Sequence, residues 1–168
     1  ERISEYVESE ITVTALAIEC NDQQLILMSA DLTSIPEGVL EVAREKFAVY
    51  CPGVSPDSLV VAATHTHTSI KMANPAKGSK GSWATIDILD EFLPEDKKYK
   101  PLVSPDDSVI TPQEAAVFAA EKIARAAANA WKNREEGYYA NEFGRAAVGM
   151  CRRASYSDGS AQMWGDTN

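Results

Sequence analysis

The chain is poor in the residues that most often carry chemistry. Among its 168 residues there are two histidines and three cysteines. The cysteines, Cys20, Cys51 and Cys151, lie far apart and form no C-x-x-C pair, which excludes a disulfide scaffold and a zinc knuckle. Cysteine usage therefore does not indicate a redox compartment.

Positive charge is also scarce. The chain has 16 basic against 25 acidic residues, so its formal net charge is −9. Such a chain repels phosphate backbones and anionic lipid, and we expect no nucleic-acid partner.

Long apolar runs are absent as well. No run approaches the roughly 20 residues of a membrane-spanning helix, so we expect no transmembrane segment. The chain opens on Glu1-Arg2-Ile3-Ser4, without an initiator methionine or a signal peptide. We therefore expect a processed or excised piece, which would be secreted or periplasmic if a signal peptide has been removed.

The first half of the chain has the pattern of strands around a helix. Hydrophobic residues make up 45% of the sequence, enough for one domain with a sizeable core. Residues 12–19 and 25–30 are predicted strands of a hairpin, the second buried on both faces, with a turn at Asn21-Asp22. A capping-box spacing at 34–37 predicts a helix to about residue 49, and 59–64 predicts another buried strand. Residues 25–64 therefore predict a βαβ unit.

The second half is less regular. Residues 66–110 lose periodicity and predict a long irregular loop, of the kind that is functional or disordered. A second capping box at 111–114 opens an alanine-rich helix to about residue 134, with Ala116, Ala120, Ile123 and Ala127 on one face. Gly137 is expected to stop this helix, residues 138–150 predict a strand or two, and no element is evident after residue 155.

Both histidines lie in one tetrapeptide, Thr64-His65-Thr66-His67. On an extended backbone, residues two apart point to the same side, so His65 and His67 are expected to project together from the carboxyl end of a strand. Neutral imidazoles presented side by side are a common way to hold zinc. The pattern favours a metal or catalytic site over two polar residues at a strand end.

The βαβ topology adds candidates at the same edge of the sheet. Parallel strands share their carboxyl edge, which is where open α/β sheets bind ligands. Asp31 follows the first strand of the unit, so it is expected to ligate a metal, to accept a hydrogen bond from an imidazole, or only to open the next loop. If the strand before Arg152 is parallel, Arg152 also reaches this edge. Its guanidinium could bind a carbonyl oxygen or a carboxylate there. For Arg153 we prefer a solvent-exposed position.

Other hydrolase patterns are missing. Gly-rich phosphate loops and the G-x-S-x-G nucleophile elbow are absent, and the metallo-β-lactamase pattern fails because Thr68-Ser69 follows the second histidine. A Cys–His nucleophile using Cys151 stays open because the two neighbouring arginines would lower the thiol pKa, although a small core residue is the simpler interpretation.

Three segments together resemble a known family. Ser29-Ala30-Asp31-Leu32, the run LVVAATHTH at 59–67 and VGMCRR at 148–153 are similar to the amino-terminal region of the neutral/alkaline, non-lysosomal ceramidases and their bacterial relatives. The arginine element resembles that family's G-x-N-R, with Cys151 where asparagine is usual. The family consists of zinc-dependent amidases that cleave the N-acyl bond of ceramide.

The resemblance implies roles for individual residues. His65 matches the zinc ligand, His67 the neighbouring histidine that faces substrate, and Arg152 the active-site arginine. The remaining ligands of the single zinc ion, a histidine, a glutamate and a tyrosine, would come from sequence beyond Asn168. Where the family has Ser-Gly-Pro-Gly after T-H-T-H, this chain has Thr68-Ser69-Ile70-Lys71, so the expected substrate is an N-acyl amide or related ester rather than ceramide itself.

The sequence therefore predicts an α/β fold with a mixed sheet that contains a βαβ unit and has helices packed on it. Residues 1–168 would be the amino-terminal portion of a larger layered hydrolase domain. The predicted function is zinc-dependent hydrolysis of an N-acyl amide in a small molecule or lipid, with Asp31 supporting the site. Two alternatives are a metal-independent Cys–His hydrolase and a non-catalytic binding domain that uses the acidic segment 87–107.

Overall fold

The structure is a computed structural model that describes residue 4 and residues 6–72, 92–98, 109–146, 148 and 153–163. The chain divides into two compact units, Glu1–Glu135 and Glu136–Asn168. The first unit contains a small mixed sheet and two helices, so the predicted α/β class is confirmed.

The first two strands form the predicted hairpin. Strand β1 (Val13–Cys20) pairs antiparallel with β2 (Gln23–Ala30) along their whole length. Asn21 and Asp22 have φ values of 47° and 63°. A two-residue hairpin turn of type I′ needs this left-handed backbone at both positions, and Asn and Asp tolerate it better than most other side chains do.

The βαβ unit is also confirmed. Helix α1 (Glu37–Tyr50) and a short 3-10 helix (Pro56–Ser58) connect β2 to β3 (Leu59–Ala63). Strand β3 pairs parallel with β2, from Ile26↔Leu59 to Ala30↔Ala63, which gives the strand order β1-β2-β3. The carboxyl ends of β2 and β3 therefore lie side by side.

The capping box predicted at residues 34–37 is wrong. Helix α1 begins at Glu37, its N-cap is Pro36, and no side chain caps it. The residue before a proline is disfavoured in the helical region, so Ile35 cannot start the helix and Ser34 lies too early to cap it.

The second helix begins as predicted. Helix α2 (Pro112–Lys132) has Thr111 as N-cap and both hydrogen bonds of a capping box with Glu114. Here the residue before the proline is the N-cap, whose backbone is extended anyway. The four residues predicted on one face, Ala116, Ala120, Ile123 and Ala127, are all buried. The helix ends before Gly137, at Lys132.

One face of the sheet forms the core with both helices. The largest fully buried side chains come from every main element except β1: Phe47 and Val39 of α1, Ile26 of β2, Leu59 of β3 and Ile123 of α2. Small side chains on α2 and on β1, such as Ala120 and Ala17, allow the helix to contact β1 directly.

The other face of the sheet is exposed, contrary to the prediction that β2 is buried on both faces. The side chains of Leu25 and Leu27 are 37% and 41% exposed, and Leu16, Ile18 and Val60 lie beside them with similar or greater exposure. An apolar face of this kind is where a further layer would pack. The larger layered domain stays a prediction.

A cluster of polar side chains joins the two helices. One carboxylate oxygen of Glu121 (α2) accepts hydrogen bonds from the Tyr50 hydroxyl at 2.5 Å and from Arg125 at 2.6 Å, and Lys46 lies 2.9 Å from the other oxygen. These donors, Tyr50 first, lower the pKa of Glu121 to about 2. The cluster therefore ties α1 to α2 while the carboxylate is ionised.

The second unit contains a short hairpin that the sequence did not predict. Strands β4 (Ala154–Ser155) and β5 (Ala161–Gln162) pair antiparallel. The strand predicted over 138–150 is wrong for the part that the structure describes, since residues 138–146 and 148 have neither helix nor strand.

The predicted loop 66–110 is described only in part. Residues 66–72, 92–98 and 109–110 contain no helix or strand, and 73–91 and 99–108 lie outside the described residues. Within the described chain, neither helix is long and apolar enough to cross a membrane.

Two neighbouring residues of α1 differ in burial, so their replacement should change the free energy of unfolding by different amounts. Phe47→Ala removes a fully buried ring and should lower the free energy of unfolding by about 3–5 kcal/mol. Val49→Ala changes a side chain that is 76% exposed and should stay within about 0.5 kcal/mol. Urea unfolding of both variants measures the difference, and equal losses would contradict this packing of α1.

The Glu121 cluster predicts a pH dependence. Because the folded pKa, about 2, lies below the unfolded value of about 4.3, the carboxylate stabilises the fold above pH 4.3. This contribution is lost as the pH falls toward 2. Glu121→Gln should be less stable than wild type at pH 7, and the gap should close at low pH. Urea unfolding at several pH values measures it, with Tyr50→Phe as a partial variant; a constant gap would refute the prediction.

Candidate functional site

The candidate site lies where β2 and β3 end together. The parallel ladder continues beyond β3, because the Thr64 N–H donates to the Ala30 carbonyl oxygen at 2.9 Å. Asp31 and Thr64, the residues just beyond these strands, are therefore neighbours at the carboxyl edge of the sheet. The sequence placed Asp31 and the histidines at this edge, and the structure does so too.

His65 turns away from the strand direction. Its backbone has a φ of 62°, in the left-handed region that non-glycine residues rarely adopt. Its N–H donates to the Leu32 carbonyl oxygen at 3.1 Å, which holds this conformation. The extended backbone that was expected to align the two histidines is therefore absent at His65, and that prediction is wrong there, since the strand has already ended at Ala63.

The ring of His65 is fixed by a backbone carbonyl. Its Nδ1 lies 2.7 Å from the carbonyl oxygen of Thr33. A carbonyl oxygen only accepts hydrogen bonds, so Nδ1 carries the proton and the lone pair of a neutral ring is on Nε2. The hydrogen bond to the Thr33 carbonyl oxygen sets both the orientation of the ring and the nitrogen that can bind a metal.

Thr33 also holds the backbone between the two histidines. Its hydroxyl donates to the carbonyl oxygen of Thr66 at 2.8 Å. Thr33 was not among the residues predicted for the site. Its position two residues after Asp31, at the same edge of the sheet, was the only available signal.

The ring of His67 meets the ring of His65 although the backbone is not extended. The two Nε2 atoms are 3.3 Å apart, and the rings are nearly perpendicular, with an angle of 88°. The ring centroids are 4.9 Å apart, farther than the nitrogens, so each ring turns its Nε2 edge toward the other. Both side chains are exposed, so the paired nitrogens are open to a ligand from solvent.

Asp31 has partners other than the histidines. One oxygen of its carboxylate accepts hydrogen bonds from the Thr12 N–H at 2.9 Å and the Thr12 hydroxyl at 2.8 Å. These bonds, and a weaker one from the Thr64 side chain, lower the pKa of Asp31. Among the described residues, no hydrogen bond joins Asp31 to either imidazole. Its carboxylate ties the start of β1 to the end of β2, next to the segment that carries His65.

Two other candidates lie outside the described residues. These are Arg152 and Cys151, so their predicted positions near the histidines stay predictions. Arg153 is exposed, as preferred from the sequence, and its guanidinium lies 3.6 Å from the sulfur of Met163.

The described part of the chain supplies two donors to a possible metal site. Within it, no group of three or more His, Cys, Asp or Glu side chains is arranged to hold a metal ion. A zinc site normally has three or four protein ligands, so the imidazole pair by itself does not complete one. A groove on α1 and α2 around Glu121 does not offer a better site, because its Lys46 and Arg125 are already paired with that carboxylate.

Comparisons with family models, with curated proteins and with solved structures found no match to this chain.

The contribution of the Thr33 hydroxyl can be measured separately from the contribution of the size of the side chain. Thr33→Val keeps the shape but loses the hydroxyl bond to Thr66, which should cost about 1 kcal/mol. Amide exchange at Thr64 and His65 should become faster. Thr33→Ser keeps the hydroxyl and should retain the slow exchange. Hydrogen exchange measured by NMR tests this, and equal exchange in the two variants would show that the hydroxyl does not hold the segment.

Proposed function

We propose that this chain is part of a zinc-dependent hydrolase that cleaves the N-acyl amide bond of a small-molecule or lipid amide. The proposal combines the resemblance to the neutral ceramidases with the position of His65. The observation that carries it is the hydrogen bond from His65 Nδ1 to the Thr33 carbonyl oxygen, which leaves Nε2 as the ligand atom.

The arrangement around His65 suits a metal ligand. Metal-bound histidines almost always donate their other ring N–H to a carbonyl or carboxylate, which fixes the tautomer. A left-handed backbone at a non-glycine residue costs free energy and is often found where function requires it. Both features occur at His65, at the sheet edge where α/β proteins bind ligands.

Zinc bound at this edge would lower the pKa of a water molecule and polarise the carbonyl of the scissile amide. The chain's own residues would orient the reaction. His65 would offer a neutral nitrogen in a fixed direction, His67 would lie within 3.3 Å of that nitrogen, and Arg152 would bind the carbonyl or carboxylate of the substrate. Asp31 would keep the edge in place through Thr12.

The residues around the histidines favour a substrate class broader than ceramide. The two histidines are separated by Thr66 and are followed by Thr68 and Ile70. This segment lacks the glycines of the family loop. The entrance would therefore differ from that of the ceramidases, and we propose an N-acyl amide or related ester as the substrate class.

Replacement of His65 tests the proposal. In the intact protein, His65→Ala should remove bound zinc and lower amidase activity by more than about a hundredfold. Elemental analysis and a panel of acyl-amide substrates measure the two effects. Glu41→Ala, at an exposed position on α1, is the control and should leave both unchanged.

Three outcomes would contradict the proposal. Wild-type zinc content and activity in His65→Ala would remove His65 from the mechanism. Activity that resists chelators but is lost on thiol alkylation would favour a Cys–His hydrolase. The absence of both metal and turnover in the intact protein would favour a binding domain.

A further inference from the structure

The distance between the two imidazoles has a bearing on the role of His67. Its Nε2 lies 3.3 Å from Nε2 of His65. Without metal, this contact is a hydrogen bond between the two rings. Two nitrogens that each lie about 2.0–2.1 Å from one tetrahedral zinc are about 3.3 Å apart. The measured separation therefore fits two ligands of one ion.

The ring orientations agree with this interpretation. The centroids are farther apart than the two Nε2 atoms, so both nitrogens lie on the facing edges of their rings. The rings are also nearly perpendicular, which keeps their carbon atoms apart when the nitrogens approach a common point. Because both side chains are exposed, an ion can reach this point from solvent.

We propose that His67 is a ligand of the same zinc ion as His65, through its Nε2 atom, rather than only a residue that faces substrate. This inference rests on the proposed function for the identity of the metal. It differs from the role that the ceramidase resemblance implies, in which His65 alone of the pair binds zinc.

The proposal includes a change of tautomer at His67. Without metal, Nε2 of His65 is an acceptor, so the proton between the rings belongs to Nε2 of His67. When zinc takes the Nε2 lone pair, the neutral ring of His67 carries its proton on Nδ1 instead. The proton moves within the imidazole by exchange with water, and neither ring changes its charge. His65 keeps its proton on Nδ1 in both states.

Zinc titration of the 168-residue chain, extended to the weak affinity that two imidazoles alone provide, tests this without any substrate. The chain contains only two histidines, so the imidazole ¹⁵N spectrum has signals from these two rings alone. Zinc should shift Nε2 of both rings and move the His67 proton from Nε2 to Nδ1. Calorimetry should show that His67→Ala and His65→Ala each weaken zinc binding by at least about tenfold.

The controls distinguish zinc binding at the two histidines from zinc binding to exposed carboxylates. Glu41→Ala removes an exposed carboxylate and should bind zinc as tightly as wild type. Thermal unfolding confirms that each variant is folded.

Any of three results would overturn the proposal: wild-type zinc affinity in His67→Ala, a zinc-induced shift of the His65 signals alone, or no zinc binding by the wild-type chain. Amidase activity that survives in His65→Ala would refute the proposed function, but it would leave shared zinc binding by the two rings intact.

Discussion

The site depends on how the loop after β2 holds the segment after β3. Carbonyl oxygens of Ala30, Leu32 and Thr33 accept hydrogen bonds from Thr64, from the His65 backbone and from the His65 ring. The Thr33 hydroxyl adds a bond in the opposite direction, to Thr66. These contacts extend the parallel pairing beyond the strands. They hold a backbone conformation at His65 that the residue would otherwise avoid, and they select the ring nitrogen that faces His67.

The rest of the first unit supports this edge. Both helices pack on one face of the sheet through the apolar core, and the Glu121 cluster joins them to each other. The bond between Asp31 and Thr12 attaches the start of β1 to the same edge. Asp31 therefore acts on the neighbourhood of the histidines through the backbone, and the hydrogen bonds from Thr12, with a weaker one from Thr64, lower its pKa.

Local patterns predicted most of the elements. The positive φ values at Asn21 and Asp22 and the Thr111 capping box depend on residues within a few positions of each other. The same S/T-x-x-E spacing failed at 34–37 because Pro36 holds the preceding residue in an extended conformation. The short hairpin of β4 and β5 was missed, since two-residue strands are too short to show periodicity.

The sequence by itself determined the order of the elements in the first unit, the pairing of β2 with β3 and the edge at which the histidines emerge, because turns, caps and apolar runs act over short distances. Only the tertiary structure decided that β2 has one exposed face, since burial depends on which layers are present. It also decided the geometry of the imidazole pair. The carbonyl that orients His65 belongs to Thr33, 32 residues earlier in the chain, and no local pattern could indicate that contact.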